Sequence, residues 1–382
     1  AVLIFAWAVA GCLGRNLGLM SGVILATMRE FAAYSVGPEA DIFLASAVTI
    51  CGSLFMRLHF ANGGDGRTSF FGTRPPAMLI YFALLGLTNA MKGPLFGMIF
   101  VGLPIVAFFL WNRDGFGVRR FSWAWGWLAM LVLGAAWPLY AYYRFPDIIE
   151  LWAVDYGVRW RNGYIGEPFW YYLVHQPWNL FPWTIPAMGG LVATSRIVRR
   201  NENPVWRYIW CWALLPVLFF SLFRGKHHHY MLSCIPPAAA LAAMGASQLW
   251  RWLLSRPRWM LQPWLAAAVI GLPGLVLVAV FQRKIPGPEW VGWFIAIGWP
   301  IVVGLMWWSA TRRHGRAAMA GVCSIIIVVH WLAYAHRAHF MDSYVADSAF
   351  IATTRSIMQE EIPLYVINDV HPLNSSWVLY YL

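Results

Sequence analysis

Polar residues that could do chemistry fall in short clusters between long apolar runs. The first cluster holds Glu39 and Asp41, two carboxylates two positions apart. A carboxylate at a partly desolvated helix start can act as a general base or a metal ligand. An acid in the first turn of a helix is also stabilised by the helix dipole, so a purely structural helix start is the alternative. Glu39 and Asp41 are therefore the candidate catalytic residues.

A second cluster is the single lysine in Lys92-Gly93-Pro94, between two apolar runs. Glycine and proline interrupt a helix, and proline is favoured at the first position of the next one. A lysine beside a helix N-terminus makes an anion site. The structural alternative is a lysine that extends its ammonium group out of the membrane at a turn.

The most cationic joint runs from Phe223 to Tyr230, Phe-Arg-Gly-Lys-His-His-His-Tyr. Lys226, His229 and Tyr230 are its candidate phosphate-binding residues, because clustered cations and phenols suit an anionic oxygen. Zinc at His227 is an alternative, but three consecutive histidines cannot all face one ion, so a metal would need further ligands such as Asp155. A joint that only anchors the chain at the membrane surface is the remaining alternative.

The long joint 141–177 contains Arg159 and Arg161 together with several tryptophans. Its segment 148–155 is predicted to form an amphipathic helix on the membrane surface. Tryptophan rings stack on sugars and also populate membrane interfaces. The joint as a whole is too polar to be a simple linker.

The elements that must position these clusters are transmembrane helices. The 382-residue chain is 60% hydrophobic and 12% charged, which excludes a disordered chain, a disulfide-rich module and an ordinary cytosolic enzyme. A membrane crossing needs about 20 apolar residues. The sequence predicts an all-α polytopic membrane protein with about twelve crossings, at 1–14, 17–33, 42–58, 77–91, 94–111, 121–140, 178–195, 206–223, 230–250, 264–281, 291–309 and 317–335.

The distribution of charge predicts the orientation of these helices. The net charge is +12, from 28 Lys+Arg against 16 Asp+Glu. Arginines concentrate in alternate joints, and short arginine-rich joints stay in the cytoplasm. The excess of basic residues therefore reflects the membrane topology and does not indicate that the protein binds nucleic acid. All four polar clusters are predicted on the outer side, where cationic pockets at membrane depth suit a lipid phosphate that carries a transferable group. No phosphate-binding glycine-rich motif supports a nucleotide-driven pump.

Four stretches in order resemble the polytopic GT-C glycosyltransferases of the protein O-mannosyltransferase and lipid A aminoarabinose transferase superfamily, close to glycosyltransferase family 39. They are Gly14-Arg15 with the later Asp41-Ile-Phe-Leu, the Lys92-Gly93-Pro94 turn, Glu167-Pro-Phe-Trp-Tyr-Tyr172 with Pro182-Trp183, and Lys226 to Tyr230 with Pro236-Pro237. The resemblance covers nearly the whole chain. Departures from the family pattern are Ser233-Cys234 in place of Leu-Pro, and the three histidines.

The resemblance implies a GT-C helix bundle at 1–340, with the start of an extracytoplasmic domain at 341–382, in the bacterial inner membrane. It implies that Lys226, Tyr230 and either Arg159 or Arg161 bind the phosphate of a polyprenyl-phosphate sugar, and that Asp41 lines the acceptor or metal region. The acceptor is expected to be a glycan, a lipid or a protein, and a divalent metal ion is left open. The family's acidic pair in the first outer loop is expected before residue 1.

The expected reaction is a direct displacement at the anomeric carbon, with inversion of configuration. A carboxylate would deprotonate or orient the acceptor. The leaving polyprenyl phosphate would be stabilised by Lys226, by Arg159 or Arg161, and by Lys92. Three other functions fit the same pattern less closely: a flippase for a lipid-linked saccharide, a ligase-like enzyme that transfers whole glycans, and a non-catalytic scaffold. A transporter is expected to show internal repeats and polar groups at mid-membrane, and the sequence shows no clear repeat.

Overall fold

The computed structural model describes residues 1–35, 39–61, 76–93, 95–157, 166–255 and Trp308. The chain divides into two compact units, Ala1–Leu261 and Gln262–Leu382, and all described residues except Trp308 belong to the first. The predicted crossings 264–281 and 317–335, most of 291–309, and the predicted domain 341–382 lie outside the described residues. The boundary near residue 340 therefore stays a prediction.

The described part of the chain is helical and contains no strand. Its α-helices are α1 (Val2–Leu13), α2 (Arg15–Thr27), α3 (Arg29–Tyr34), α4 (Ala40–Met56), α5 (Pro76–Lys92), α6 (Phe96–Asn112), α7 (Gly115–Phe121), α8 (Ala124–Arg144), α9 (Ile148–Gly157), α10 (Tyr171–Asn179), α11 (Thr184–Arg200), α12 (Pro204–Ser221) and α13 (Ile235–Leu254). A π-helical turn, Arg57–Ala61, extends α4, and a 3₁₀ helix, His228–Cys234, leads into α13. The predicted surface segment 148–155 is indeed helical, as α9.

Four helical segments within the described ranges are long and apolar enough to cross a membrane. They are Ala40–Ala61, Ala124–Arg144, Pro204–Ser221 and His228–Trp252, and two shorter apolar helices are Val2–Leu13 and Phe96–Asn112. The predicted all-α membrane architecture is confirmed for this part of the chain. The number of twelve crossings stays a prediction.

The predicted run 17–33 is broken in the structure. Helix α2 ends at Thr27, and Met28 is extended before α3 begins. The backbone N–H of Arg29 donates to the carbonyl of Phe181 at 2.8 Å, and the indole N–H of Trp183 donates to the Thr27 hydroxyl at 2.9 Å. The segment before α11 thus satisfies the polar groups freed at the break.

Helices α6 and α12 run antiparallel, and this separates two kinds of polar residue. Phe96, at the start of α6, stacks on Phe220 near the end of α12, with ring centroids 6.3 Å apart. At the other ends, Arg207 donates to the Asn112 side chain at 2.8 Å and to the carbonyl of Val198 at 2.7 Å. The arginine-rich joint before α12 therefore lies at the opposite end of these helices from Phe96 and the Lys92 turn.

Small residues allow α11 and α13 to pack closely. A Cβ atom added to Gly190 would lie 1.8 Å from the carbonyl oxygen of Leu241, and one added to Gly245 would lie 1.9 Å from that of Pro186. Glycine at such positions lets helix backbones approach, which is a main source of packing energy between membrane helices. Both positions therefore require glycine.

We expect Gly190→Ala to lower stability by about 1–3 kcal/mol or more, because the methyl group must push the two backbones apart. The measurement is the apparent Tm of the detergent-solubilised protein. Gly189→Ala is the matched control, since its added Cβ would meet only the Cα of Gly245, at 3.9 Å. Equal Tm values for the two variants would show that this contact does not hold the helices together.

Candidate functional site

Asp41 reaches the site from the first turn of α4. Glu39 has an extended backbone, the helix begins at Ala40, and no side-chain hydrogen bond from Glu39 caps it. The Glu39 side chain is exposed, whereas the carboxylate of Asp41 is only 15% exposed. Of the two predicted catalytic carboxylates, the structure brings only Asp41 into a cluster with other predicted site residues.

Lys92 reaches the site from the last turn of α5, where the helix breaks as predicted. Gly93 has a φ of 109° and Leu95 a φ of 75°, and the first value is accessible mainly to glycine. The side chain of Asn89 fixes this turn: its oxygen accepts from the Leu95 N–H at 3.1 Å, and its amide donates to the carbonyl of Gly134 at 3.3 Å. A bond to α8 thus helps to hold the lysine in position.

Lys92 and Asp41 form an ion pair, although 51 positions separate them in the chain. The Lys92 ammonium group lies 4.2 Å from the centre of the Tyr230 ring. The His229 Nε2 atom lies 3.9 Å from the second carboxylate oxygen of Asp41. We call this group of four side chains the Lys92 cleft. Its walls are Leu44, Phe96, Phe100, Phe220, Leu232 and Ser233.

The composition of the Lys92 cleft determines what it can bind. The ammonium group is only 11% exposed, and the walls are mostly aromatic or aliphatic. Electrostatic interactions are stronger in such surroundings than in water. One lysine, one histidine and one phenol against a single carboxylate can bind an anionic oxygen, and the apolar walls can take a hydrocarbon chain beside it.

Lys226 is held outside this cleft, in the joint before the 3₁₀ helix. It is 5% exposed, and its ammonium group donates to the backbone carbonyl of Glu167 at 2.9 Å. The Glu167 N–H in turn donates to the carbonyl of Arg224 at 3.2 Å. Burial lowers the pKa of Lys226, and the nearby Glu167 carboxylate partly opposes this. Because a neutral carbonyl holds it, the lysine keeps its charge available for an anion.

The three consecutive histidines diverge, in agreement with the prediction that they cannot share one ion. His229 faces Asp41, whereas the His228 Nδ1 atom contacts a carboxylate oxygen of Glu30. The ring of His227 stacks on that of His229 at 5.2 Å and lies 5.1 Å from that of Tyr230. No group of three His, Cys, Asp or Glu residues that could hold a metal ion occurs within the described ranges.

Sequence reasoning did not rank Glu30 among the site residues. Its side chain is 1% exposed, and its second oxygen accepts a hydrogen bond from Arg29 at 3.1 Å. The sequence does contain a signal for Glu30, because it is an acid inside an otherwise apolar run. Burying an acid at membrane depth costs free energy, and such acids usually have a function. If 17–33 is one membrane crossing, Glu30 lies near its end, at the membrane surface. A carboxylate is common at that position and does not indicate a functional site.

Three other predicted site residues are not located by the structure. Arg159 and Arg161, the predicted phosphate-binding arginines, lie outside the described residues. Asp155 belongs to α9, but its side chain is outside the description. The roles of these residues, including a metal site at Asp155 or His227, stay predictions.

Comparison with known proteins shows that the chain is similar to one group of transferases. No family model matches it. It is 28% identical over 315 residues to the undecaprenyl phosphate-alpha-4-amino-4-deoxy-L-arabinose arabinosyl transferase of Aeromonas hydrophila, covering 76% of this chain and 54% of the relative. The enzyme of the same name from Shewanella sediminis is 29% identical over 174 residues, 43% of this chain and 31% of the relative. The chain thus spans about half the length, or less, of these relatives.

Solved structures extend the similarity to the fold. The crystal structure of ArnT from Cupriavidus metallidurans bound to undecaprenyl phosphate superposes with a TM-score of 0.74 at 18% identity, covering 97% of this chain and 66% of that one. The apo structure of the same protein gives a TM-score of 0.66, with 87% of this chain and 59% of that one. The chain is therefore similar in sequence to the aminoarabinose transferases and shares the fold of ArnT, as the GT-C resemblance predicted.

Proposed function

We propose that this chain is a membrane glycosyltransferase that moves a sugar from a polyprenyl-phosphate donor to an acceptor at the outer face of the bacterial inner membrane. The observation that carries the proposal is the Lys92 cleft, where a buried lysine, a histidine and a tyrosine converge between apolar walls. A lipid phosphate needs this combination of cationic and apolar surfaces. The similarity to aminoarabinose transferases supports the same substrate class.

The proposed reaction is a single displacement at the anomeric carbon. Negative charge develops on the departing phosphate oxygen, so prearranged cations there lower the barrier. Lys92 and Lys226 supply these cations, with Tyr230 and His229 as further donors. Arg159 or Arg161 completes the phosphate site in this proposal. A single displacement inverts the configuration of the sugar.

Asp41 has a positioning role in this proposal. Its carboxylate holds the Lys92 ammonium group and faces His229, so it fixes two of the phosphate-binding groups and borders the space for the acceptor. The more exposed Glu39 is the alternative carboxylate for deprotonating an acceptor. The proposal includes a divalent metal ion held by Asp155 or His227, and titration of the purified protein with divalent metal ions tests it.

The remaining features of the proposal concern topology. We propose about twelve crossings, with the Lys92 cleft outward and the Arg207 end of α12 in the cytoplasm. This orientation follows from the arginine-rich joints and agrees with the separation of Lys92 and Arg207 at opposite helix ends. The acceptor is a glycan, a lipid or a protein.

The function is tested in liposomes that contain the purified protein, an undecaprenyl-phosphate pentose or hexose, and candidate acceptors. Mass spectrometry should show loss of the donor, appearance of undecaprenyl phosphate and a glycosylated acceptor with inverted configuration. Movement of intact donor between leaflets without release of undecaprenyl phosphate would instead show a flippase and would overturn the proposal.

The lowered pKa of Lys226 predicts a distinctive pH dependence. An ordinary lysine loses its proton near pH 10.4, whereas burial makes Lys226 lose its proton at lower pH. Because only the protonated form binds phosphate well, activity should fall on the alkaline side before an ordinary lysine would titrate. Lys226→Arg should extend activity to higher pH, because arginine stays charged. Identical alkaline limbs for the two proteins would contradict this role.

A further inference from the structure

We infer that one face of α11 binds an anionic phospholipid of the cytoplasmic leaflet. This face, which we call the α11 lipid face, is an exposed apolar strip followed by exposed arginines: Ile185, Met188, Val192, Arg196, Arg199 and Arg200. Its arginines lie at the Arg207 end of α12, away from the Lys92 cleft. The inference therefore goes beyond the proposed transfer reaction and adds a lipid partner.

The spacing of residues divides α11 into a packed face and an exposed face. The buried residues recur every three or four positions, at Ala187, Gly190, Thr194 and Val198. On the other face, Ile185 is 77% exposed, Met188 60% and Val192 75%. These three side chains have the same spacing of three or four positions, which is that of one helix face. They therefore form a continuous apolar strip.

Three arginines continue this strip at the end of α11. Arg196 follows Val192 by four positions, and Arg199 and Arg200 follow Arg196 by three and four, so all three lie on the same face. They are exposed, and none forms an ion pair with another described residue. The joint that follows contributes one acid, the exposed Glu202. The α11 lipid face thus ends in an excess of positive charge, which complements an anionic headgroup.

The buried Arg207 leaves these arginines available for a ligand. Basic side chains near the end of a helix often bond to its last carbonyl groups. In α11 the guanidinium of Arg207 does this, donating to the carbonyls of Val198 at 2.7 Å and Arg199 at 3.4 Å. The backbone N–H of Glu202 donates to the carbonyl of Ile197 at 3.1 Å. The exposed arginines are therefore not needed to cap the helix.

The length of the apolar strip matches the thickness of one leaflet. A helix rises about 1.5 Å per residue, so Val192 and Met188 lie about 10 and 16 Å from Arg199 along α11. The hydrocarbon of one leaflet is about 15 Å thick, half of the core of a bilayer. An acyl chain attached to a phosphate at Arg199 therefore passes Val192 and reaches Met188.

A phospholipid fits the α11 lipid face better than a second copy of the chain does. A two-fold dimer through this face would use the same surface of both copies. Both sets of arginines would then meet at the same side of the membrane, where like charges repel. An anionic phospholipid instead supplies a phosphate for the arginines and an acyl chain for the strip.

The bound lipid would stabilise the junction of three helices. Arg207 of α12 bonds to the end of α11, and it also donates to the Asn112 side chain at the end of α6 at 2.8 Å. Its guanidinium lies 5.1 Å from the ring centre of Trp111. A lipid that covers the end of α11 is therefore expected to raise the thermal stability of the protein.

The test compares phosphatidylglycerol, which is anionic, with the zwitterionic phosphatidylcholine. Native mass spectrometry of the detergent-solubilised protein, titrated with each lipid, gives the two Kd values, and we expect tighter binding of phosphatidylglycerol. Arg199→Gln/Arg200→Gln should weaken that binding by about 25-fold, because each basic residue near an anionic lipid surface contributes a factor of about five. The Kd of phosphatidylcholine should not change.

Arg15→Gln/Arg119→Gln is the matched control, because it removes two exposed arginines from other arginine-rich joints. It should leave the Kd of phosphatidylglycerol unchanged. Equal affinity of the unsubstituted protein for the two lipids, or equal weakening in both double variants, would overturn the inference. A lipid-free dimer that Arg199→Gln/Arg200→Gln dissociates would also overturn it. These outcomes do not depend on the transfer reaction, because no donor sugar is present.

Discussion

Replacing Lys226 with alanine is expected to lower kcat/KM for the polyprenyl-phosphate sugar by about 10²–10³-fold, the usual cost of removing one prearranged donor at a site of developing charge. The lysine is buried, and its described hydrogen bond goes to the neutral carbonyl of Glu167. Its positive charge is thus available to the phosphate. The measurement is the initial rate of undecaprenyl phosphate release in liposomes.

Arg224→Ala is the matched control for this variant. Arg224 carries the same charge two positions earlier in the same joint, but its side chain is exposed. Its backbone carbonyl, which accepts from Glu167, is kept in the variant. Activity lost equally in both variants would mean that the joint attracts the lipid by overall charge and that Lys226 has no specific role.

The second large effect concerns the ion pair between Asp41 and Lys92. Removing one partner of a largely buried pair leaves an uncompensated charge and costs about 3–5 kcal/mol. We therefore expect Asp41→Asn to lower the apparent Tm strongly. The double variant Asp41→Asn/Lys92→Gln should recover much of this stability, because neither buried charge remains. It should stay inactive, because the phosphate has lost a cation.

A thermal unfolding cycle over the two single variants and the double variant checks this prediction. Glu39→Gln is the control: its exposed side chain predicts a change within about 0.5 kcal/mol. Strictly additive losses of stability for Asp41→Asn and Lys92→Gln would show that the two groups do not interact. Recovered activity in the double variant would show that Lys92 does not serve the phosphate.

The local features of the site could be predicted from the sequence because they depend on nearby residues. The helix start before Asp41 and the helix break at Lys92-Gly93 both follow from short-range rules on charge, glycine and proline. The structure confirms both, with α4 beginning at Ala40 and Gly93 at a φ of 109°. The divergence of the three histidines likewise followed from their adjacency in the chain.

The pairings between distant residues could not be predicted in this way. Lys92 contacts Asp41 only because α4 and α5 pack side by side. No local sequence pattern predicts which helices pack together. The burial of Glu30 could not be predicted, because the break at Met28 depends on Phe181 and Trp183, which are far along the chain. Lys226 was expected at an anion site, but its hydrogen bond to the backbone carbonyl of Glu167 could be found only from the three-dimensional structure.

The central claim is that this chain binds the phosphate of a polyprenyl lipid through Lys92 and Lys226. The most direct test is the Kd of undecaprenyl phosphate for the protein in lipid nanodiscs, compared with that of the Lys92→Gln/Lys226→Gln variant. Hydrogen bonds to charged groups contribute about 1.5–3 kcal/mol each, so the loss of both lysines should weaken the affinity of the variant by about 10²-fold or more. Equal affinity in the two proteins would contradict the claim.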